Sequence, residues 1–273
     1  MIGVFDSGFG GLTVLKALIK QIPGASFVFL GDTARLPYGS KSRRTIARYA
    51  AESAQFLVNQ HRAEYLVIAC NTASALALDA IQDAVTVPVL GVIEPGAQAA
   101  AEYSKTKDVL VIATEATVQS HAYAAACWRR GLRGVEKACP LLVSLVEEGW
   151  TDHRVTAEVV RIYLSEVLEE ARMAGQTPDT LVLGCTHYPL LRPLLERIVQ
   201  ELTAGMQVID SAEATAVEAA MQVRRLVGES AGAGETVPDI RCFATDSVEK
   251  FERLGSRFLG LPVGRVELVD LGG

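Results

Sequence analysis

Two cysteines lie in closely similar surroundings, one in each half of the chain. Cys70 and Cys185 each follow an apolar run of strand length, over residues 65–69 and 180–184, and each precedes a polar pair that contains threonine. Such short runs are typical of strands buried on both faces of a parallel sheet. Ligands of open parallel sheets bind beyond the carboxyl ends of the strands. We therefore expect two thiols that face one another across a cleft between two similar domains.

The residues beside the two thiols add groups that could act on a small polar substrate. His187 lies two residues after Cys185, close enough to influence its protonation. The pairs Asn71-Thr72 and Thr186-His187 could hold a carboxylate, and they could equally cap helices. The two roles are compatible.

A glycine-rich turn over residues 6–11 allows several interpretations. A P-loop would need a G-K-[ST] ending, which is absent, and a dinucleotide fingerprint would need glycine where Thr13 stands, although Asp32 has about the right spacing for a ribose carboxylate. In a third interpretation the glycine N–H groups approach a carboxylate and Asp6 faces an ammonium group. A plain strand-to-helix turn remains possible, but it would not require Asp-Ser at its start.

Strand patterns alternate with helical patterns along the whole chain, which predicts parallel sheets covered by helices. We expect an α/β protein with two similar domains, each a mainly parallel sheet flanked by helices, and the active site in the cleft between them. Residues 1–93 with about 208–273 would form the first domain, and residues 94–207 the second. Residues 228–234 predict a flexible loop. The predicted strands cover residues 2–5, 27–30, 65–69, 87–92, 109–113, 180–184, 207–209 and about 241–244.

The composition favours a soluble globular protein. Of 273 residues, 49% are hydrophobic and 21% charged, and the net charge of −6 argues against a nucleic-acid-binding surface. No apolar run approaches the roughly 20 residues that span a bilayer, and no basic region precedes the first strand, so we expect a cytoplasmic protein. The five cysteines never form a C-x-x-C pair, which argues against a disulfide framework or a zinc site. We interpret Cys127, Cys139, Cys242, His61, His121 and His153 as structural.

Several motifs, taken together and in this order, resemble those of bacterial glutamate racemases. Each motif is weak alone, but the match covers nearly the whole chain. The motifs are Asp6-Ser7-Gly8 with Gly10-Gly11, Pro37-Tyr38-Gly39, Ala69-Cys70-Asn71-Thr72-Ala73, Ala138-Cys139-Pro140-Leu141 with Glu147, and Gly184-Cys185-Thr186-His187-Tyr188-Pro189-Leu190, and the resemblance runs on to Phe243-Ala244-Thr245-Asp246.

The resemblance implies an enzyme without a cofactor that converts L-glutamate to D-glutamate for peptidoglycan synthesis, and so for cell wall biogenesis and cell shape. It implies that Cys70 takes the proton of D-glutamate and Cys185 that of L-glutamate. Asp6 and His187 would assist them, with Glu147 nearby. We expect glutamate as the small-molecule partner, no nucleic acid, membrane or metal, and a homodimer. The implied substrate-binding residues are Asp6, Ser7, Tyr38, Gly39, Asn71, Thr72, Thr114, Thr117, Thr186 and His187.

The chemistry fits a pair of thiols. Inverting an α-carbon requires removal of a proton from one face and return of a proton to the other, and one base cannot easily reach both faces of a fixed substrate. A thiol has a reference pKa of about 8.5, so modest tuning gives one thiolate and one thiol near neutral pH.

Two other functions remain open from the residues alone. A cysteine hydrolase or amide transferase could use Cys185 as nucleophile, His187 as base and an acidic residue to orient the base, but it leaves Cys70 unexplained. A non-catalytic amino-acid-binding module would explain the cleft but not the two thiols. Glu147 could likewise be part of a solvated helix end.

Overall fold

Ten parallel strands and twelve α-helices occur in the computed structural model of the chain, which describes residues 1–227 and 238–272. The loop expected over residues 228–234 lies outside the described residues. The strands are β1 Ile2–Asp6, β2 Phe27–Gly31, β3 Tyr65–Ile68, β4 Val89–Gly91, β5 Asp108–Ala113, β6 Arg133–Ala138, β7 Thr180–Gly184, β8 Gln207–Asp210, β9 Ile240–Ala244 and β10 Val266–Leu268.

Helices follow most of the strands, as the alternating pattern predicts. Within the described ranges no helix is long and apolar enough to cross a bilayer. The helices are α1 Leu12–Gln21, α2 Arg43–Gln55, α3 Asn71–Leu76, α4 Leu78–Ala84, α5 Ile93–Tyr103, α6 Glu115–Gln119, α7 Ala122–Trp128, α8 Leu141–Glu147, α9 Arg154–Met173, α10 Arg192–Leu202, α11 Ser211–Val227 and α12 Val248–Leu259.

The chain divides into two compact units, Met1–Val92 with Thr215–Gly273, and Ile93–Ala214. The second crossing between the units falls a few residues after the expected position near 208, because β8 pairs with β7 and so belongs to the second sheet. The predicted α/β class, with two parallel sheets flanked by helices, is confirmed.

The first unit holds a six-stranded sheet in the order β10-β9-β2-β1-β3-β4. Every residue of β1, β2 and β3 is buried, as the unbroken apolar runs of these strands predict. Helix α1 covers the sheet with Leu12, Leu15 and Leu18. On α12, Phe251 and Phe258 form edge contacts with Phe9, which fixes the glycine-rich turn against the C-terminal helix.

The second unit holds a four-stranded sheet in the order β6-β5-β7-β8. Its central strands β5 and β7 are buried throughout, whereas β6 has exposed and half-buried residues along its length. Strand β6 was not predicted, because its mixed residues Arg133-Gly134-Val135-Glu136-Lys137 form no apolar run. The short edge strand β10 was missed for the same reason.

The two units repeat one strand order. In the first unit four strands have the order β2-β1-β3-β4, and in the second the order is β6-β5-β7-β8. In each unit the second strand therefore pairs with one edge of the first strand, and the third strand pairs with its other edge. The order therefore reverses between β1 and β3, and again between β5 and β7. In open parallel sheets this reversal point is where ligands bind, beyond the carboxyl ends of the strands.

Candidate active site

The first reversal point carries Cys70 and the residues that end β1. Cys70 lies two residues after β3 and is 5% exposed. Its thiol donates to the Ser7 hydroxyl at 3.3 Å, and its sulfur accepts the N–H of Ala73 at 3.4 Å. Because β1 and β3 are neighbours, the strand pairing alone brings Ser7 to the thiol. We call Asp6, Ser7, Cys70, Asn71 and Thr72 the Cys70 half-site.

Asp6 ends β1 and is held by the glycine-rich turn that follows it. Its carboxylate accepts the N–H of Gly8 at 3.0 Å and is 2% exposed. A Cβ atom at Gly11 would lie 2.6 Å from that of Asp6 and 2.8 Å from that of Ala69. Glycine is therefore required at residue 11 because the turn folds directly onto the start of the half-site. The Asp6 carboxylate itself uses the N–H of Gly8, and binding of a substrate carboxylate by the turn stays a prediction.

Electrostatics keep the Cys70 thiol protonated. Burial raises its pKa, the neighbouring Asp6 carboxylate raises it further, and hydrogen bonds with Ser7 and Ala73 offset only part of this, which leaves a pKa of about 12. At neutral pH Cys70 therefore holds its proton, which is the state of a general acid.

The remaining predicted binding residues of the first unit lie close to this end of the sheet, where Asn71, Thr72 and Tyr38 are buried and Gly39 is half-buried. Asn71 and Thr72 begin α3 directly after Cys70 and are 3% and 4% exposed. Tyr38 and Gly39 form a 3-10 turn that packs against α3. The Tyr38 side chain is only 1% exposed, and its hydroxyl donates to the Asp32 carboxylate at 2.6 Å.

The second reversal point carries Cys185 and an imidazole. Cys185 follows β7 directly and is 5% exposed. Its sulfur lies 4.0 Å from Nδ1 of His187, which also lies 3.4 Å from the Thr186 hydroxyl. On its other side, Nε2 of His187 lies 3.3 Å from a carboxylate oxygen of Glu147, the last residue of α8. We call Cys185, Thr186, His187 and Glu147 the Cys185 half-site.

His187 is held in its cationic form by its two neighbours. Burial disfavours the imidazolium, but the hydrogen bonds and charges of Cys185 and Glu147 outweigh burial and raise the pKa of His187 to about 10. The ring is 12% exposed and Glu147 is 22% exposed, so solvent screens this pair only in part. A cation therefore lies beside the Cys185 sulfur.

Thr114 and Thr117 follow β5, the strand beside β7. Their hydroxyl oxygens lie 2.9 Å apart, and Thr117 is completely buried. The strand order thus places them at the same edge of the sheet as Cys185.

Tyr188 received no role from the sequence, although it lies in the quoted motif. Its hydroxyl donates to the carbonyl of Cys139 at 2.9 Å and to that of Ala113 at 3.2 Å. These carbonyls lie at the carboxyl ends of β6 and β5, and the N–H of Tyr188 donates to the carbonyl of Cys185. Through its side chain and its backbone N–H, this one residue therefore ties together the three strand ends that lead to Thr114, Glu147 and Cys185.

The residues interpreted as structural lie elsewhere or have packing roles. Cys127, Cys139 and Cys242 are buried free thiols, and burial raises the pKa of each. His61 stacks on Phe243, and His153 caps α9 by accepting the N–H of Val155. Across residues 1–227 and 238–272, no group of three or more His, Cys, Asp or Glu side chains is placed to hold a metal ion.

Comparisons with known proteins agree with this geometry. The family model for Asp/Glu/hydantoin racemases matches residues 2–219. A glutamate racemase from Koribacter versatilis is 53% identical over 100% of this chain and 98% of its own. The crystal structure of glutamate racemase isoform RacE1 from Bacillus anthracis superposes with a TM-score of 0.87 at 38% identity, covering 99% of this chain and 97% of that one.

A second solved structure, glutamate racemase from Francisella tularensis in complex with D-glutamate, has a TM-score of 0.85 at 35% identity and covers 99% of this chain and 97% of its own. Fold and sites define the class: an α/β protein with two parallel sheets and a cysteine at the reversal point of each. The chain belongs to the Asp/Glu/hydantoin racemase family. The predicted family and the prediction of a racemase, an isomerase, are confirmed.

Proposed function

We propose that this protein interconverts L-glutamate and D-glutamate by proton transfer between two cysteines. Its relatives with 53% and 46% identity are glutamate racemases, and a related solved structure holds D-glutamate. The observation that carries the mechanism is the repeat itself. Each unit has one cysteine after the third strand of the same four-strand order, and the two thiols have neighbours of opposite charge, the Asp6 carboxylate beside Cys70 and the His187 imidazolium beside Cys185.

The forward reaction begins with the thiolate of Cys185 and the thiol of Cys70 on opposite faces of the α-carbon. Cys185 removes the α-proton of L-glutamate, so the C–H bond breaks, an S–H bond forms, and the electron pair passes to the α-carbon. Hydrogen bonds to the α-carboxylate stabilise the developing charge. Cys70 then donates its proton to the other face, which gives D-glutamate. After the product dissociates, Cys70 is a thiolate and Cys185 is a thiol.

The reverse reaction needs Cys70 as a base, which burial and the neighbouring Asp6 carboxylate disfavour. The ammonium group of the substrate provides the missing charge if it binds Asp6, because it offsets the carboxylate that raises the pKa of Cys70. His187 has the corresponding task at the other thiol, and Glu147 keeps its imidazole charged and oriented. Between successive turnovers in one direction, both thiols exchange protons with solvent to restore the starting state.

The polar residues beside the thiols are proposed to hold the substrate. Ser7, Asn71, Thr72 and the Tyr38-Gly39 turn would act in the first unit, and Thr114, Thr117, Thr186 and His187 in the second. Supply of D-glutamate for peptidoglycan, with its effect on the cell wall and cell shape, stays a prediction from the resemblance. The cytoplasmic location and the homodimer also stay predictions.

The test is chiral analysis of L-glutamate incubated with the purified protein. We expect D-glutamate to form until the two enantiomers are equal in concentration. The Cys70→Ala and Cys185→Ala variants should each be slower by about a hundredfold to ten-thousandfold, the range of general acid–base catalysis. Cys127→Ala is the matched control, since it removes an equally buried thiol from α7.

Two results would refute the proposal. Racemisation by either variant at the wild-type rate would remove that cysteine from the mechanism. Release of ammonia from glutamine that is lost in Cys185→Ala and retained in Cys70→Ala would instead indicate a cysteine amide hydrolase.

A further inference from the structure

The first unit contains a buried carboxylate, that of Asp32, which no step of the proposed reaction uses. It contacts the C-terminal segment of the chain. Asp32 follows β2 and is completely buried. One of its oxygens accepts the Tyr38 hydroxyl at 2.6 Å, and the other accepts the Thr245 hydroxyl at 2.9 Å. The Arg35 guanidinium lies 3.7 Å away. Distances as short as 2.6 Å are typical of a hydroxyl that donates to a charged carboxylate.

Thr245 is one of two residues that lock the end of β9 to the end of β2. The N–H of Thr245 donates to the carbonyl of Gly31, and its hydroxyl accepts the N–H of Ala34 at 2.9 Å. Next to it, the N–H of Asp246 donates to the Thr33 hydroxyl at 2.9 Å, and that hydroxyl donates to the Asp246 carbonyl. We call the four residues Asp32, Thr33, Thr245 and Asp246 the β2–β9 clasp.

The clasp determines what the Tyr38 hydroxyl can do. A phenol has one proton to donate, and here it goes to Asp32. Burial, and then the Asp32 carboxylate, raise the pKa of Tyr38 far above neutral pH, so the hydroxyl neither ionises nor transfers a proton in the reaction. Tyr38 therefore acts through its position. Its ring packs near Phe5, and its turn packs against α3, which begins directly after Cys70.

We propose that Asp32 and Thr245 are positioning residues, which fix the Tyr38-Gly39 turn at the Cys70 half-site in the geometry that binds glutamate. The inference rests on the proposed function, because it assigns the turn to substrate binding. It gives the segment Phe243-Ala244-Thr245-Asp246 a task in the reaction that the sequence motif alone did not supply.

The alternative is that the clasp only stabilises the fold. Kinetics separate the two roles. A clasp that only stabilises would lower the unfolding temperature and leave the kinetic constants of the folded enzyme unchanged. A clasp that positions a binding turn raises KM for glutamate, while kcat changes little because the thiols and their neighbours stay in place.

The principal variant is Thr245→Val, which keeps the shape of the side chain and removes its hydroxyl. The hydroxyl donates to Asp32 and accepts the N–H of Ala34, and we expect loss of its bond to Asp32 to raise KM for both enantiomers roughly three- to tenfold, with kcat within about twofold of wild type. Thr245→Ser, which keeps the hydroxyl, should restore a KM near that of wild type.

Thr180→Val is the matched control. Thr180 is completely buried, whereas Thr245 is half-buried, and like Thr245 it donates its hydroxyl to an aspartate, Asp179, at 3.0 Å. It lies at the opposite end of its strand from Cys185. The control should lose thermal stability to a similar degree and keep the wild-type KM. An unchanged KM in Thr245→Val, or an equal rise in Thr180→Val, would overturn the inference.

Tyr38→Phe provides a second route to the same test, should Thr245→Val fail to fold. It removes the other hydroxyl on Asp32, so it should raise KM in the same way, and an unchanged KM would count against the inference. Where both variants fold, a double-mutant cycle should show less than additive effects, because both act through one carboxylate. Wild-type enzyme that does not racemise glutamate would refute the proposed function instead, so the two failures are distinguishable.

Discussion

The two half-sites have the same position in the strand order and opposite electrostatics. Cys70 and Cys185 each follow the third strand of a four-strand set. Beside Cys70 lies a carboxylate, and the pKa of that thiol rises to about 12; beside Cys185 lies an imidazole whose pKa rises to about 10. One thiol is thus kept neutral, whereas the other has a cation next to it.

This difference shows how a repeated fold can support a two-step proton transfer. The repeat supplies two thiols at equivalent positions, but two identical environments would leave both in the same protonation state. The last residue of the first strand differs between the units, Asp6 in β1 against Ala113 in β5. The second unit adds Glu147, the last residue of α8, beside its histidine. In the proposed mechanism the fold places the two thiols, and their neighbours determine which thiol acts as the acid and which as the base.

The largest expected effect concerns the hydrogen on the α-carbon of the product, which should come from solvent and not from the substrate. When L-glutamate reacts in heavy water, the Cys70 thiol has already exchanged with solvent, so the first D-glutamate formed should carry deuterium. The remaining L-glutamate should stay largely unlabelled, because a thiol that returns its single proton returns the original one. Mass spectrometry of the separated enantiomers at early times measures both. Early D-glutamate that retains the substrate hydrogen would show that a single base serves both faces.

Substitution of the two neighbours should slow the reaction and do so at different steps. We expect His187→Gln and Asp6→Asn each to lower kcat/KM by about a hundredfold, within the usual range for groups that assist proton transfer. The enantiomers have equal free energies, so kcat/KM must fall equally in both directions, and the asymmetry has to be measured in another way.

Primary isotope effects with α-deuterated substrates provide that measurement. Loss of His187 should make proton transfer at Cys185 more rate-limiting, which raises the isotope effect on L-glutamate and lowers that on D-glutamate. Loss of Asp6 should do the reverse at Cys70. Equal isotope effects for the two enantiomers in both variants would contradict the assignment of one neighbour to each thiol.

A smaller effect should appear in the alkaline limb of the pH profile. Because the pKa of His187 is raised to about 10, the imidazolium is present at neutral pH and is lost as the pH rises through that value. Glu147→Gln removes one of the groups that raise it, so the alkaline limb of kcat/KM should move down by about one pH unit, which corresponds to ~1.4 kcal/mol. Glu148→Gln, which changes the exposed neighbouring residue, is the control and should leave the limb in place. A limb that moves upward in Glu147→Gln would reverse the proposed role of the carboxylate.

The two cysteines could be found from the sequence pattern, whereas some other parts of the molecule could not. Strands β3 and β7 are buried on both faces, so their apolar runs show in the sequence, and the cysteines that follow them were found from that pattern. Edge strand β6 has no such pattern, because its side chains are partly exposed. The contact between Asp32 and Thr245 joins residues that are 213 positions apart, and no local pattern in one sequence links them.

Tyr188 gives the smallest expected effect, and it tests whether the Cys185 half-site depends on strand ends being held together. Tyr188→Phe leaves the buried carbonyls of Ala113 and Cys139 without their shared donor. Each carbonyl keeps a backbone donor, the N–H of Cys139 for Ala113 and that of Leu142 for Cys139, so we expect a loss of about 0.5–1.5 kcal/mol in the free energy of unfolding, the net contribution of one hydrogen bond. We also expect a few-fold fall in kcat, because the segments leading to Glu147 and Cys185 lose their common anchor. Denaturant unfolding and initial rates measure the two effects, with the exposed Tyr103→Phe as control. A less stable Tyr188→Phe enzyme with wild-type kcat would show that the tyrosine holds the sheet together without positioning the half-site.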